Sequence, residues 1–322
     1  MYALQLLHQR HTYLMQSMQD FHAPLDSFEL LQISGEDSAK FLQGQLTCDL
    51  DGFASGSCQL GAACNNKGRV YANFRLIKLG DDFFLSMQPG VLEIAMQTLQ
   101  KYIPFYKAQM NDASHRFKRF GLTGNKATEL LKTIFPALPE KNRSANVGGN
   151  IIINLSDNLP RYELWLEDIN NADIQARIET LPRREKSAWD ILDLQAGILL
   201  IEDGDTSLYT PEELNLDLAG FISFNKGCYT GQEIVARMHF RGKANKRLFL
   251  ASFVADTPEE KYTLYDTAGN ALGSIFNVRS LNDKSHIGLV ILKTNTVLGE
   301  SFRLGKKETD SSVVLSPFSH VA

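Results

Sequence analysis

The run Lys226-Gly227-Cys228-Tyr229-Thr230-Gly231-Gln232-Glu233 holds the residue types and spacings best suited to chemistry in this chain of 322 residues. Cys228 stands two residues ahead of Thr230, and Glu233 three residues after that threonine completes a capping box. Apolar Ile234, Val235 and Met238 then continue at helical spacing. The free amides and positive dipole end of a helix start favour a thiolate. Lys226 is expected to add a cation beside the thiol, and Arg237 another. Gly227 and Gly231 let the backbone approach a ligand closely, and the same amides suit a carboxylate or phosphate. The plainer alternative makes Cys228 a small buried residue and Glu233 only a cap.

Nothing else competes with this segment. Cys48, Cys58 and Cys64 form no CxxC pair with each other or with Cys228, and the seven histidines are scattered, so no metal site is expected. GxSxG, HExxH, P-loop and GxGxxG motifs are missing, which argues against a classical hydrolase, metalloenzyme or dehydrogenase. The polar turn Asn65–Gly68 is either a plain hairpin turn or part of a site. The basic run His115–Arg119 reads as a solvated edge. Residues 201–217 carry six acids and no base, while 226–247 carry six bases and one acid; the two segments either pair or are solvated. A net charge of −4 argues against bulk nucleic-acid binding, and direct tRNA binding through 237–247 ranks low. No apolar run is long enough to span a membrane, and the N-terminus lacks the pattern of a signal or transit peptide, so a cytoplasmic protein is expected.

The elements that must position these residues point to an α+β protein of two or three domains. An amphipathic helix is expected over 1–20, a strand at Phe28–Ile33 and a helix capped by Ser34 and Asp37. Leu60–Cys64 and Arg69–Ile77 read as a hairpin, followed by a strand at Phe83–Met87 and a helix opened by Pro89. Strands at Phe117–Leu122, Ile151–Leu155 and Tyr162–Leu166 alternate with helices starting near Asn125 and Ile169. Pro182 begins a long helix lined by Trp189 and Leu192 and interrupted at Gly197. From Arg247 onward, short alternating strands at 247–255, 261–266, 273–280, 286–292 and 311–319 suggest a barrel or sandwich.

The segment FNKGCYTGQEIVARMHFRG, residues 224–242, resembles the signature of the YgfZ family, relatives of the glycine-cleavage aminomethyltransferase. Every position of the family pattern K-G-C-Y-x-G-Q-E is present. The likeness continues through residues 33–50, 64–76, 189–201 and 211–229. It implies a three-domain aminomethyltransferase-like fold with a ferredoxin-like middle domain and a C-terminal β-barrel. The implied divisions are 1–110 with 183–240 for folate binding, 111–182 for the middle domain and 241–322 for the barrel. It also implies a tetrahydrofolate or other folate ligand, held by aromatic residues that align with Phe28 and Trp189. Position 28 is tryptophan in the best-known relative, so the indole donor is gone here.

Two functions follow from the resemblance. One is a folate-binding accessory protein that supports iron–sulfur proteins, including enzymes of tRNA modification, with Cys228 as the reactive thiol and Lys226 its activator. The other is a folate-dependent aminomethyl or one-carbon transferase. The aminomethyltransferase carries a pair of aspartates where this chain has Ala72 and Asn73. Neutral side chains cannot take a proton from the folate nitrogen, which favours the accessory role.

Overall fold

The structure, a computed structural model, describes residues 20–318 apart from 157–158, 168–170, 243, 258, 296–300 and 308–309. The helix expected over 1–20 (save Asp20) and the helix start at Ile169 lie outside the described residues. Two five-stranded sheets and a closed six-stranded barrel make up the protein.

The second sheet runs β1 (Phe21–Pro24), β7 (Phe117–Thr123), β10 (Arg161–Glu167), β9 (Asn150–Asn154) and β8 (Arg143–Val147). The first sheet runs β3 (Cys58–Cys64), β4 (Val70–Leu79), β5 (Asp82–Met87), β2 (Glu29–Ser34) and β6 (Gln109–Asp112). α1 (Ser38–Gln43) and α2 (Val91–Leu99) go with the first sheet, and α3 (Asn125–Lys132) and α4 (Ala172–Ile178) with the second. All pairings in both sheets are antiparallel.

The central order β1-β7-β10-β9, with α3 and α4 as connections, is ferredoxin-like. Its outer place beside β7 is filled by β1 from the start of the chain. The segment after α4 adds only a parallel bridge between Arg183 and His22. Strand β8 lies in the polar stretch between Glu140 and Asn150. Gly148 and Gly149, both at positive φ, turn it into β9.

The barrel closes in the order β11 (Lys246–Val254), β14 (Ser285–Lys293), β13 (Ala271–Ser280), β12 (Tyr262–Tyr265), β15 (Phe302–Arg303) and β16 (Ser312–Pro317). The two-residue β15 is too short to show a sequence alternation, and without it the ring would stay open.

Two helices carry the candidate site. α5 (Lys186–Gln195) is shorter than expected, because Gly197 at φ 74° ends it rather than interrupting it. Trp189, Asp190 and Asp193 on α5 are all buried. α6 (Gln232–Arg241) follows the KGCY segment. Among the described residues, no helix is long and apolar enough to cross a membrane. The capping box expected from Ser34 and Asp37 does not form. Gly35 turns the chain at φ 107°, and the Asp37 carboxylate instead accepts from the Lys107 amide at 2.8 Å.

Candidate functional site

The eight-residue motif wraps around the β3–β4 hairpin turn. Gly231 is the N-cap of α6 at φ 83°, a left-handed conformation that favours glycine. A Cβ there would stand 2.4 Å from the Asn65 carbonyl and 3.2 Å from the Cys64 Cβ. A Cβ on Gly68 would meet Ile234 at 2.8 Å. The 65–68 turn is therefore more than a plain turn: it is packed on the start of α6.

That contact also removes the expected capping box. The cap falls one residue later than Thr230, and no side chain caps the helix. The Thr230 hydroxyl donates to the Gln45 amide oxygen at 3.1 Å, and its N–H to the Gly44 carbonyl at 3.1 Å. Glu233 is exposed in the first helical turn, where its charge still complements the dipole. Gln232 reaches back to the Gly227 carbonyl at 3.5 Å, and Tyr229 is buried.

Cys228 is exposed, whereas Cys48, Cys58 and Cys64 are buried. Burial pushes the thiols of Cys48 and Cys58 up to about 12 and raises Cys64 as well. One cysteine of the four is therefore open to reagents. Lys226 does not have the place expected of a thiol activator. Its buried ammonium donates to the carbonyls of Gln43, Leu46 and Cys48 at 2.8, 2.6 and 2.8 Å. Those three bonds use all the protons an ammonium has. Burial lowers its pKa from the usual lysine value. Lys226 thus ties the motif to the segment after α1. Beyond the motif, His239 stacks on Phe224 at 3.6 Å between ring centroids, and Phe240 is 70 % exposed beside them.

A second constellation lies around α5. Arg75 on β4 meets Glu163 at 3.2 Å and Asp193 at 3.5 Å, and Arg161 meets Asp193 at 2.8 Å. The Trp165 indole donates to Glu163 at 3.1 Å. The Arg161 guanidinium lies 4.4 Å over the Trp189 ring, and Lys186 lies 4.3 Å over Phe28. Phe28 and Trp189 are both buried in one core cluster, each facing a cation carried by or packed on α5. Neither ring offers an open face. Gly121 makes room for Trp189, since a Cβ there would come within 2.4 Å of the indole.

A chamber of about 280 Å³ opens beside this network, lined by Arg75, Arg161, Leu155, Ala196, Ile198 and Gly220 among others. Arg161 Nε, Trp189 Nε1 and Gln195 Oε1 are buried and have no hydrogen-bond partner, and of these three residues Arg161 lines the chamber. Sequence reasoning missed Arg75, Arg161, Glu163 and Asp193. For Arg75, Arg161 and Glu163 the available signal was a charge inside a run of strand residues, as in VYANFRLI and RYELWL. Arg119, read as part of a solvated edge, is buried and donates to the Phe28 carbonyl.

Asn73 is fully buried and spent on structure. Its amide donates to the Leu199 carbonyl at 2.6 Å and accepts from the Ile201 N–H at 2.8 Å. Both contacts match a neutral amide, with one donor and one acceptor. Three of the six acids of 201–217 pair with arginines. Asp217 takes a two-pronged bond from Arg247 at 2.6 and 2.9 Å, Glu213 pairs with Arg69 at 3.1 Å, and Glu202 with Arg279 at 2.6 Å.

This architecture, two antiparallel sheets and a barrel arranged about α5, is the aminomethyltransferase fold. Glycine cleavage aminomethyltransferase T from Bartonella henselae superposes with a TM-score of 0.77 over 94 % of this chain and 88 % of that one, at 16 % identity. A profile of the GCVT N-terminal domain matches residues 23–146. Proteins named tRNA-modifying protein YgfZ are similar in sequence over most of the chain. The one from Colwellia psychrerythraea is 32 % identical over 73 % of this chain and 72 % of its own length. That from Enterobacter sp. is 30 % identical over 92 % of both chains, and that from Escherichia coli K12 is 29 % identical, also over 92 % of both. The chain belongs to the YgfZ family.

Proposed function

We propose that the chain is a folate-binding accessory protein that supports iron–sulfur enzymes, among them enzymes of tRNA modification, with Cys228 as its working thiol. The observation that carries the choice against one-carbon transfer is Asn73. Its amide bridges Leu199 and Ile201 where the transferase reading needs a carboxylate. Residues 1–110 with 183–240 form the folate-binding unit in this reading, 111–182 the ferredoxin-like unit and 241–322 the barrel. β1 is then a strand of the first unit that completes the sheet of the second. The names of the relatives supply tRNA modification as the process.

The residues around the chamber fit a pterin. That bicyclic ring presents both donors and acceptors at its edge. Among the lining side chains Arg161 carries donors, and Gln59 and Asn142 carry both donors and acceptors. About 280 Å³ falls just below the ~300–1,000 Å³ usual for ligand pockets, which suits the ring part with the rest of the molecule outside. Arg161, held over the Trp189 ring and tied to Asp193, lines the chamber. Trp189 acts through Arg161, and Phe28 through Lys186, rather than by stacking on the ligand. Folate would supply a one-carbon carrier, while the thiol stays on the exposed motif.

Titration of tetrahydrofolate against the purified chain tests this assignment. Arg161→Lys is expected to bind at least about tenfold more weakly, because a lysine cannot reproduce the guanidinium fork. Cys228→Ala is expected to bind as the unaltered chain does. Equal affinity in Arg161→Lys would move folate out of this chamber.

A further inference from the structure

α6 carries rings and charges that neither the folate chamber nor the thiol uses. Phe240, 70 % exposed, stands edge-on to His239 and Phe224, with ring centroids 4.9 and 5.9 Å away. His239 and Phe224 are themselves stacked, 15° from parallel, and join the two flanks of the KGCYTGQE segment. An exposed ring braced by such a pair offers a planar partner a surface that is already ordered.

Three cations follow the same helix. Lys67 is exposed on the 65–68 turn that packs against its start, Arg237 is exposed along its middle, and Lys246 is exposed just past its end. Among the described residues none of the three is in an ion pair. At about 100° per residue, Arg237 falls between Phe240 on one flank of the helix and Met238 on the other. On the Met238 flank lies a groove of about 370 Å³, lined by Met238, Asn245, Lys246, Glu212 and Glu213 among others. Its acids offer no free charge. Glu212 is 2 % exposed, and Glu213 is held by Arg69 at 3.1 Å. The exposed charge that lines the groove is Lys246, beside the exposed amide of Asn245.

Glu233, one turn nearer the helix start than Arg237, is the exposed acid of this face. Residues 226–247 still carry six bases against that one acid, on a chain whose net charge is −4. That balance opposes bulk nucleic-acid binding but leaves room for a few phosphates along one strip. A free ring face with cations beside it suits a strand whose bases are unpaired, since a duplex keeps its base faces covered.

We propose that α6 and the groove beside it bind a short single-stranded stretch of RNA. One base stacks on Phe240, the backbone crosses the helix over Arg237, and a phosphate meets Lys246. Asn245, with both a donor and an acceptor, faces a base edge in the groove. The choice of RNA over DNA rests on the role in tRNA modification proposed above.

Fluorescence anisotropy of a labelled oligouridylate of about twelve nucleotides, titrated with the full chain, tests this. Saturable binding is expected, with log K falling against log salt at a slope of about −2 for three phosphate contacts. Phe240→Ala is expected to weaken it at least about fivefold, the loss of one stacked base. Lys246→Gln should weaken it too and make the slope shallower by about 0.7. Phe240 is exposed, and thermal unfolding verifies that its variant is folded. Titration of tetrahydrofolate on the same samples keeps the two readings apart: a chain that binds folate but no oligouridylate overturns this inference alone. Undiminished binding by Phe240→Ala, or an RNA duplex of the same length bound as tightly as the single strand, would also overturn it. Loss of tRNA modification in cells expressing Phe240→Ala, when the unaltered chain binds no oligouridylate, would give the surface to a protein partner instead.

Discussion

Replacing Lys226 with methionine keeps the length of the side chain and removes its three donors. The carbonyls of Gln43, Leu46 and Cys48, now bonded at 2.8, 2.6 and 2.8 Å, are left without that partner in a largely buried segment. Each orphaned acceptor costs about 1–3 kcal/mol. Against this stands the relief of an ammonium whose burial already lowers its pKa. A net loss of about 3 kcal/mol is expected, which for a chain of this size lowers the melting temperature by roughly 4–5 °C. The same variant should leave the alkylation rate of Cys228 by iodoacetamide within about twofold of the original, because the ammonium is committed elsewhere. Thermal unfolding and a mass-spectrometric alkylation time course, made on one preparation, read both effects. Unchanged stability together with a large fall in Cys228 alkylation would refute this reasoning and return Lys226 to the role of thiol activator.

Other perturbations separate the remaining parts of the account. Gly231→Ala forces a Cβ into left-handed backbone within 2.4 Å of the Asn65 carbonyl, so it should destabilise by more than the ~1–2 kcal/mol of the conformational cost alone; denaturant unfolding measures it, and a neutral variant would contradict the geometry. In the native chain one thiol, Cys228, should react promptly with a thiol reagent, with Cys48, Cys58 and Cys64 appearing only on unfolding; a second prompt thiol would count against their burial. Glu212 is lifted to about 7 in the folded chain from 4.5, so the folded state holds its proton longer and stability is lost as pH rises through that interval. Glu212→Gln should therefore match the unaltered chain near pH 4.5 and exceed it above about pH 7, by at most about 3 kcal/mol. An advantage of equal size at both pH values would show that the carboxyl's ionisation is not the cause.

The fold was legible where one face of an element is buried and the other is not. The β3–β4 hairpin, β5, α2 and most barrel strands emerge within a few residues from alternation and turn chemistry. Elements set by distant partners did not emerge. β1 is a four-residue strand whose place depends on β7, almost a hundred positions away. β8 is polar and half-exposed, so its strand character comes from pairing with β9 rather than from its own composition. At the site, the motif was legible as a unit, yet its internal roles were not. The capping box and the lysine–thiol pair were inferred from closeness in sequence. The structure instead sends Thr230 to Gln45 and Lys226 to the 43–48 carbonyls, roughly 180 positions upstream. The Arg75–Glu163–Asp193–Arg161 network joins strands of two sheets to α5, and although a charge within a strand run marks its strand members, no local pattern shows which of them pair.

The claim at the centre is that the chain acts through an exposed thiol while folate is held elsewhere. Its most direct test is expression of Cys228→Ala in a bacterial strain deleted for its own YgfZ, with iron–sulfur-dependent tRNA modifications measured by mass spectrometry. The account predicts that the unaltered chain restores the modifications and Cys228→Ala does not, although the purified variant binds tetrahydrofolate with undiminished affinity. Full restoration by Cys228→Ala would contradict it.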